Sequence, residues 1–220
     1  MKLSSQTTSR NHHLHSSPLF NGLPIMIEYL PMITEMLESL YDVTSCAVTQ
    51  YSRVFAFRVD LRLPTWIDAE ADGFTNITIS KFFESLKAKI RHNRARASEM
   101  AAYAHDTKVR YFWAREVGDW GRVHYHCTIL LNANAYNWLG NFRSAGENMA
   151  TRVFAAWASA LGVPVDQAKE LVHFPENPAF LLRREDPGSI AEFFHRASYM
   201  CKAATKHSGY GHHGYSSSRG

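Results

Sequence analysis

Gly118-Asp119-Trp120-Gly121 separates two segments, Lys108–Val117 and Arg122–Leu131, that read as strands on either side of a tight turn. This feature constrains the chain most, because a short hairpin fixes both the direction of two strands and which of their residues face each other. With the turn centred between Gly118 and Gly121, paired positions sum to about 240. Glu116 then lies opposite His124. Alternate residues of a strand share a face, so Glu116, His124 and His126 project together from one side of the sheet. A register slipped by one residue would turn Glu116 to the other face.

The segment Val123-His124-Tyr125-His126-Cys127-Thr128 places two imidazoles two residues apart on that strand. They converge without help from the rest of the fold, which makes His124 and His126 candidate metal ligands, with Glu116 the natural third. Imidazole mixed with carboxylate suits a divalent ion such as Mg2+ or Mn2+ where phosphate supplies further oxygens. The plainer alternative is two histidines on a solvated strand face, with Glu116 a surface carboxylate paired to Arg115 or Arg122.

Around the hairpin the pattern alternates between strand and helix. Arg53–Leu63 puts Phe55, Phe57, Val59, Leu61 and Leu63 on one face and Arg58, Asp60 and Arg62 on the other, which predicts a half-buried strand closed by Pro64. Pro24–Leu40 reads as a helix that Pro31 must start, kink or split. Ile77–Met100 reads as a long basic amphipathic helix with Phe82, Phe83, Leu86 and Ile90 as its apolar stripe. An alanine-rich helix is expected over Ser144–Leu161, ended by Gly162 and Pro164, then a short helix near Asp166–Glu170 and a strand over Leu171–Phe174.

The last helix is expected from Ser189 to about Lys206, opened by the capping-box pattern Ser189-Ile190-Ala191-Glu192. At a helical step, His195, Lys202 and Lys206 fall within about 60° of Tyr199. Ile190, Phe193, Phe194, Ala197, Cys201 and Ala204 gather opposite. Tyr199 and Lys202 are thus read as lying on a polar, outward stripe, where packing does not require a tyrosine. An exposed tyrosine in a basic helix is the plain alternative.

The 220 residues suffice for one core with decorated ends. Residues 1–22 are polar and read as a disordered arm, 23–206 as the folded domain, and 207–220 as a flexible Gly/Ser/His tail. No apolar run reaches the ~18 residues of a membrane span, so no membrane partner is expected, and the N-terminus lacks a signal-peptide core. Three scattered cysteines suit a reducing cytoplasm. A phosphate-binding P-loop is absent, which excludes a fused helicase of that kind. The net charge of +4 says little, but its distribution says more. From Lys81 to Arg96 the chain carries Lys81, Lys87, Lys89, Arg91, Arg94 and Arg96 against the single acid Glu84, and after Glu192 no acid remains beside Arg196, Lys202, Lys206 and Arg219. Two such zones suit a phosphate backbone, or equally a solvated helix face and a basic tail.

Metal, tyrosine and lysine together make chemical sense. A phenol, with a reference pKa near ~10, is a weak nucleophile at neutral pH. A metal held by His124, His126 and Glu116 would polarise a scissile phosphate for attack by Tyr199, and Lys202 would neutralise phosphate charge.

The ordered set FAFRVDLRL (Phe55–Leu63), Glu116 followed by GRVHYHCTILLN (Gly121–Asn132), and RASYMCKAATK (Arg196–Lys206) resembles the three motifs of HUH-type rolling-circle replication initiators. It looks like the inovirus-type replication proteins of prophages and satellite elements, the group named for the YagK and YfjJ C-terminal regions. The Tyr-x-x-Lys spacing also resembles the third motif of geminivirus initiators. The resemblance covers about Arg53–Lys206. It implies an α+β fold with a palm-like, ferredoxin-like antiparallel sheet backed by helices, a divalent metal, and cleavage of single-stranded DNA or an origin hairpin by Tyr199 through a 5′-phosphotyrosine. It further implies replication of a phage or mobile element in a bacterial host, with the host helicase and polymerase as partners. Its rivals are an inactive DNA-binding module that recruits host replication proteins, and a transposase or relaxase with the same site. A two-histidine phosphoesterase is disfavoured, because His126-Cys127-Thr128 has no second such element outside the polar arm.

Overall fold

The computed structural model describes residues 12–67, 76–101, 103–118, 123–143, 146–204 and 214–219. In chain order its elements are β1 (Leu14–His15), β2 (Leu19–Phe20), β3 (Leu23–Pro24), β4 (Met32–Ile33), α1 (Thr34–Gln50), β5 (Arg53–Arg62), α2 (Ile77–Met100), β6 (Arg110–Val117), β7 (Val123–Asn132), α3 (Met149–Leu161), α4 (Val165–Lys169), β8 (Val172–His173), β9 (Ala179–Arg183), α5 (Pro187–Ser198) and β10 (Tyr215–Ser217). Single 3-10 turns stand at Ile27–Tyr29 and Tyr199–Cys201.

Six strands form one antiparallel sheet in the order β10-β6-β7-β5, with β8 and β9 sharing the outer edge of β5. Both β5 and β6 run antiparallel to β7, so they are parallel to each other and are joined across β7 by α2, a split β-α-β arrangement. The architecture is α+β, a central antiparallel sheet backed by helices.

Helices cover both faces of the sheet, which corrects the reading of β5 as half-buried. Phe55, Phe57, Val59, Leu61, Tyr125, Cys127 and Ile129 pack with Phe82, Leu86 and Ile90 of α2 and Val153 and Trp157 of α3. On the other face Val54, Ala56, Phe112, Ala114 and Leu130 pack with Leu37 and Leu40 of α1 and Phe193, Phe194 and Ala197 of α5. Of the polar residues of the alternating pattern, Arg58 is therefore buried and Asp60 half-buried, while Arg62 at the strand's end stays exposed.

Both ends of the chain depart from the sequence reading. The segment Pro24–Leu40 is not one helix: α1 begins only at Thr34, because Pro31 lacks an N–H and disfavours helix at the residue before it. Residues 12–22, read as part of a disordered arm, carry β1, which pairs with β4, and β2, which pairs with β3. Phe20 anchors this segment, its ring against Tyr41 and Phe194, and an average over polar neighbours hides it. Tyr215–Ser217, read as flexible tail, is the edge strand β10 on β6. Residues 1–11 and 205–213, which include Lys206, lie outside the described residues.

The last helix starts earlier and stops sooner than read. Asp186 is its cap, accepting from the N–H groups of Gly188 and Ser189, and Pro187 takes the first turn, where its fixed φ fits and its missing N–H costs nothing. It ends at Ser198, whose hydroxyl donates to His195 O and accepts from Met26 N–H. After one 3-10 turn Lys202 is extended and bridges to Met32, while Ala203 N–H donates to Pro31 O. The predicted boundaries of α2 hold, and α3 starts later than read, at a capping box between Asn148 and Thr151. No described helix is long and apolar enough to cross a membrane.

Candidate metal centre and nucleophile

The β6–β7 register pairs Glu116 with His124, as the hairpin arithmetic requires. The face covered by α1 and α5 is apolar at Val54, Ala56, Phe112, Ala114 and Leu130 and becomes polar further along, at Arg58, Asp60, Arg62, Glu116, His124 and His126. One ligating atom each from Glu116, His124 and His126 lies within 4.8 Å of the others. Glu116 Oε2 is 3.3 Å from His126 Nε2 and 3.9 Å from His124 Nε2. The two imidazole rings stand at 90° with centroids 4.7 Å apart.

Asp60, which the sequence reading placed on a solvated face, pairs across β5–β7 with His126 and contacts its Nδ1 at 2.6 Å. That contact assigns the Nδ1 proton to the Asp60 side and directs Nε2 toward Glu116, the carboxylate–histidine arrangement that orients a metal-binding imidazole. His126 Nε2 is buried and, among the described residues, meets no hydrogen-bond geometry, its nearest polar atom being the Glu116 oxygen. In a neutral ring its lone pair would face the Glu116 oxygen 3.3 Å away. A proton on Nε2 or a cation between the two relieves that opposition, so these residues fit a divalent metal.

The same contacts decide how strongly His126 holds a proton. Burial works against a charged His126, but its contacts with Asp60 and Glu116 outweigh it and raise the pKa above the ordinary histidine value. Burial likewise works against charged Asp60, and His126 and Arg58 overcome it to hold the carboxyl below its usual range. The signs follow. The His126 contribution to stability is full below the unfolded value of ~6.5 and is lost as pH rises through the raised folded value. The Asp60 contribution is present at neutral pH and lost only as acid carries the pH down through its depressed value. Metal-free protein is thus expected to lose thermal stability as pH rises above the ordinary histidine value of ~6.5, and saturating manganese to remove that slope by replacing the proton. Melting curves with and without manganese that fall in parallel above that value would count against metal at His126.

Tyr199 stands over the cluster, its ring at 86° to His126 with centroids 5.7 Å apart. Lys202 is corrected most. It is only 5% exposed, not outward, with Nζ 3.1 Å from Glu116 Oε2 and 3.5 Å from the centre of the Tyr199 ring. Because the helix stops at Ser198, the angular relation between Tyr199 and Lys202 is not that of one helical stripe. Sequence reasoning missed two more neighbours. Tyr29, from the segment read as helix, meets Tyr199 edge to face at 4.8 Å, and the Arg58 guanidinium lies 5.4 Å from the Tyr199 ring centre. An acid and a base in an otherwise apolar strand are the only signal for Asp60 and Arg58; nothing local marks Tyr29.

The basic helix is not brought to this site. The apolar stripe of α2 packs on the opposite face of the sheet. Lys81, Arg91 and Arg96 are exposed there and Lys89 is half-buried. Lys87 lies over the Tyr111 ring, and Arg94 lies over Tyr136 while bonding its hydroxyl and Asn93. Arg196 is at the site's rim, donating to Glu176 O and lending its own carbonyl to Arg58.

The family described as YagK/YfjJ C-terminal domain matches residues 15–218. The chain is similar to YfjJ of Escherichia coli (strain K12), 34% identical over 148 residues, covering 64% of this chain and 71% of that protein. It is similar also to YagK of the same organism, 34% identical over 164 residues, covering 71% and 74% respectively. Both relatives carry the name of uncharacterized proteins. No solved structure matches.

Proposed function

The chain belongs to the YagK/YfjJ C-terminal domain family, and we propose that it is a metal-dependent, HUH-type nickase of single-stranded DNA that uses Tyr199 to begin rolling-circle replication of a phage or mobile element. The observation that carries the reading is the packing of a tyrosine ring directly on a buried Glu-His-His cluster. Glu116, His124 and His126 would hold the metal, Mg2+ or Mn2+, with Asp60 orienting His126. When bound, such an ion supplies a Lewis acid that polarises the scissile phosphate and offsets the charge of the in-line transition state.

The chain's own residues do the rest. Tyr199 Oη attacks phosphorus and loses its proton; the bond from phosphorus to the 3′ oxygen breaks, and that oxygen takes up a proton. The products are a 5′-phosphotyrosine and a free 3′-hydroxyl, which is a primer end. Lys202, against both Glu116 and the Tyr199 ring, supplies positive charge where the phosphodiester must sit.

The test is to incubate the protein with manganese and labelled single-stranded DNA and to resolve covalent adduct on a denaturing gel. Wild type and Tyr29→Phe are expected to form it and Tyr199→Phe to form none. Absence of adduct from wild type on DNA it retains would falsify the nickase reading. One observation favours a second reading, a DNA-binding module that does not cut: Lys202 already neutralises Glu116 without a metal. That module would bind DNA equally well in chelator and form no adduct.

The α2 cations bear on affinity alone. Neutralising Lys81, Arg91 and Arg96 together is expected to weaken DNA retention and to flatten its salt dependence, by ~0.7 in slope for each phosphate that the helix neutralises in the wild type. The adduct rate at saturating DNA should hold. An unchanged salt slope would remove α2 from the DNA surface.

A further inference from the structure

We propose that Arg58 is the seat of the scissile phosphate, a guanidinium held on β5 to receive a phosphodiester beside Tyr199. The inference rests on the nicking reading and names the group that binds its substrate.

Arg58 is 8% exposed, yet among the described residues no carboxylate lies within ion-pair reach of it. Its one hydrogen bond is a long one, from a terminal nitrogen to Arg196 O at 3.4 Å, and its buried Nε has no partner. The acids that might neutralise it are committed elsewhere, Asp60 to His126 at 2.6 Å and Glu116 to Lys202 at 3.1 Å. Asp60 offsets part of its charge from beyond contact distance, and Arg196 adds charge of the same sign. Holding a cation so far out of water with no ion pair in contact is costly, and an arriving anion repays that cost. The planar fork of a guanidinium matches two oxygens of one phosphate, which a lysine cannot do. The position is right as well, 5.4 Å from the ring that carries the attacking oxygen. The plain alternative is that Arg58 only caps the end of α5 through Arg196 O and steadies the Tyr199 ring. That role needs a single donor, gives no reason to orphan Nε, and predicts no affinity for anions.

The probe is inorganic phosphate, titrated in chelator against chloride at matched ionic strength. Wild type and the distant control Lys169→Gln are expected to gain thermal stability with phosphate, and Arg58→Gln to gain none. Arg58→Lys, which keeps the charge and a donor for Arg196 O, is expected to bind phosphate at least tenfold more weakly than wild type. With manganese and saturating single-stranded DNA, Arg58→Lys should form adduct about 100-fold more slowly, the loss typical of one donor to a transition-state oxyanion. The inference is overturned by a wild type that phosphate does not stabilise, or by phosphate affinity in Arg58→Lys equal to wild type. Should Arg58→Gln fail to fold by circular dichroism, the lysine variant alone decides. Failure of wild type to form adduct would instead sink the nicking reading, leaving the phosphate titration to judge Arg58 by itself.

Discussion

Alanine at His126 is expected to abolish manganese-dependent adduct formation, whereas Asp60→Asn only weakens it. His126 is the member of the cluster most firmly held, with one ring nitrogen against Asp60 at 2.6 Å and the other against Glu116 at 3.3 Å. Its removal takes away one of the three proposed ligands and leaves two carboxylates facing an empty space. Asparagine at Asp60 still offers an oxygen to His126 Nδ1, so the ring stays in place and only its basicity falls. Loss of such an orienting partner costs roughly 10- to 100-fold in metal affinity, and loss of the ligand itself more. Calorimetric titration of manganese into each variant measures the difference, with circular dichroism to establish that each is folded. Equal affinities in Asp60→Asn and wild type would show that Asp60 orients nothing.

The second large effect concerns Lys202. Methionine there preserves much of the side chain's length and removes its charge, which leaves Glu116, 4% exposed, without its nearest cation. Breaking a buried ion pair on one side costs about 3–5 kcal/mol, because the surviving charge stays buried. Urea unfolding of metal-free Lys202→Met is expected to show a loss of that order, and the double variant with Glu116→Gln to recover most of it. Manganese should restore the single variant more than it helps wild type, since a divalent ion takes over the neutralisation of Glu116. A metal-free Lys202→Met as stable as wild type would mean that the 3.1 Å contact contributes little.

How far the site could be read from sequence depends on how much chain separates its parts. Glu116 and His124 lie on strands joined by one short turn, so counting through the hairpin gives their pairing. Asp60 sits opposite His126 for an equally simple geometric reason, but β5 and β7 are separated by α2 and β6, and nothing local fixes their register. Parity alone put Arg58, Asp60 and Arg62 on one face and assigned that face to water, because the sequence does not say that α1 and α5 cover it. The end of α5 was illegible for a related reason. Residues 199–206 have ordinary helical composition, but the hydroxyl of Ser198 and the backbone beyond it are engaged by Met26, Pro31 and Met32. Tertiary partners outweigh a weak local preference there. Tyr29 reaches the site by the same junction.

That junction, the bridge from Met32 to Lys202, also has a bearing on biosynthesis. The hairpin that carries Glu116, His124 and His126 is translated well before Tyr199. Tyr199 and Lys202 are made after that hairpin and must then dock against Tyr29 and Met32, which precede it in the chain. Contacts of such sequence separation form late, after the entropy of closing the chain has been met. A chain translated only as far as β9 would carry Glu116, His124 and His126 without Tyr199, and the site is assembled only once α5 and the turn after it have docked on the Tyr29–Met32 segment.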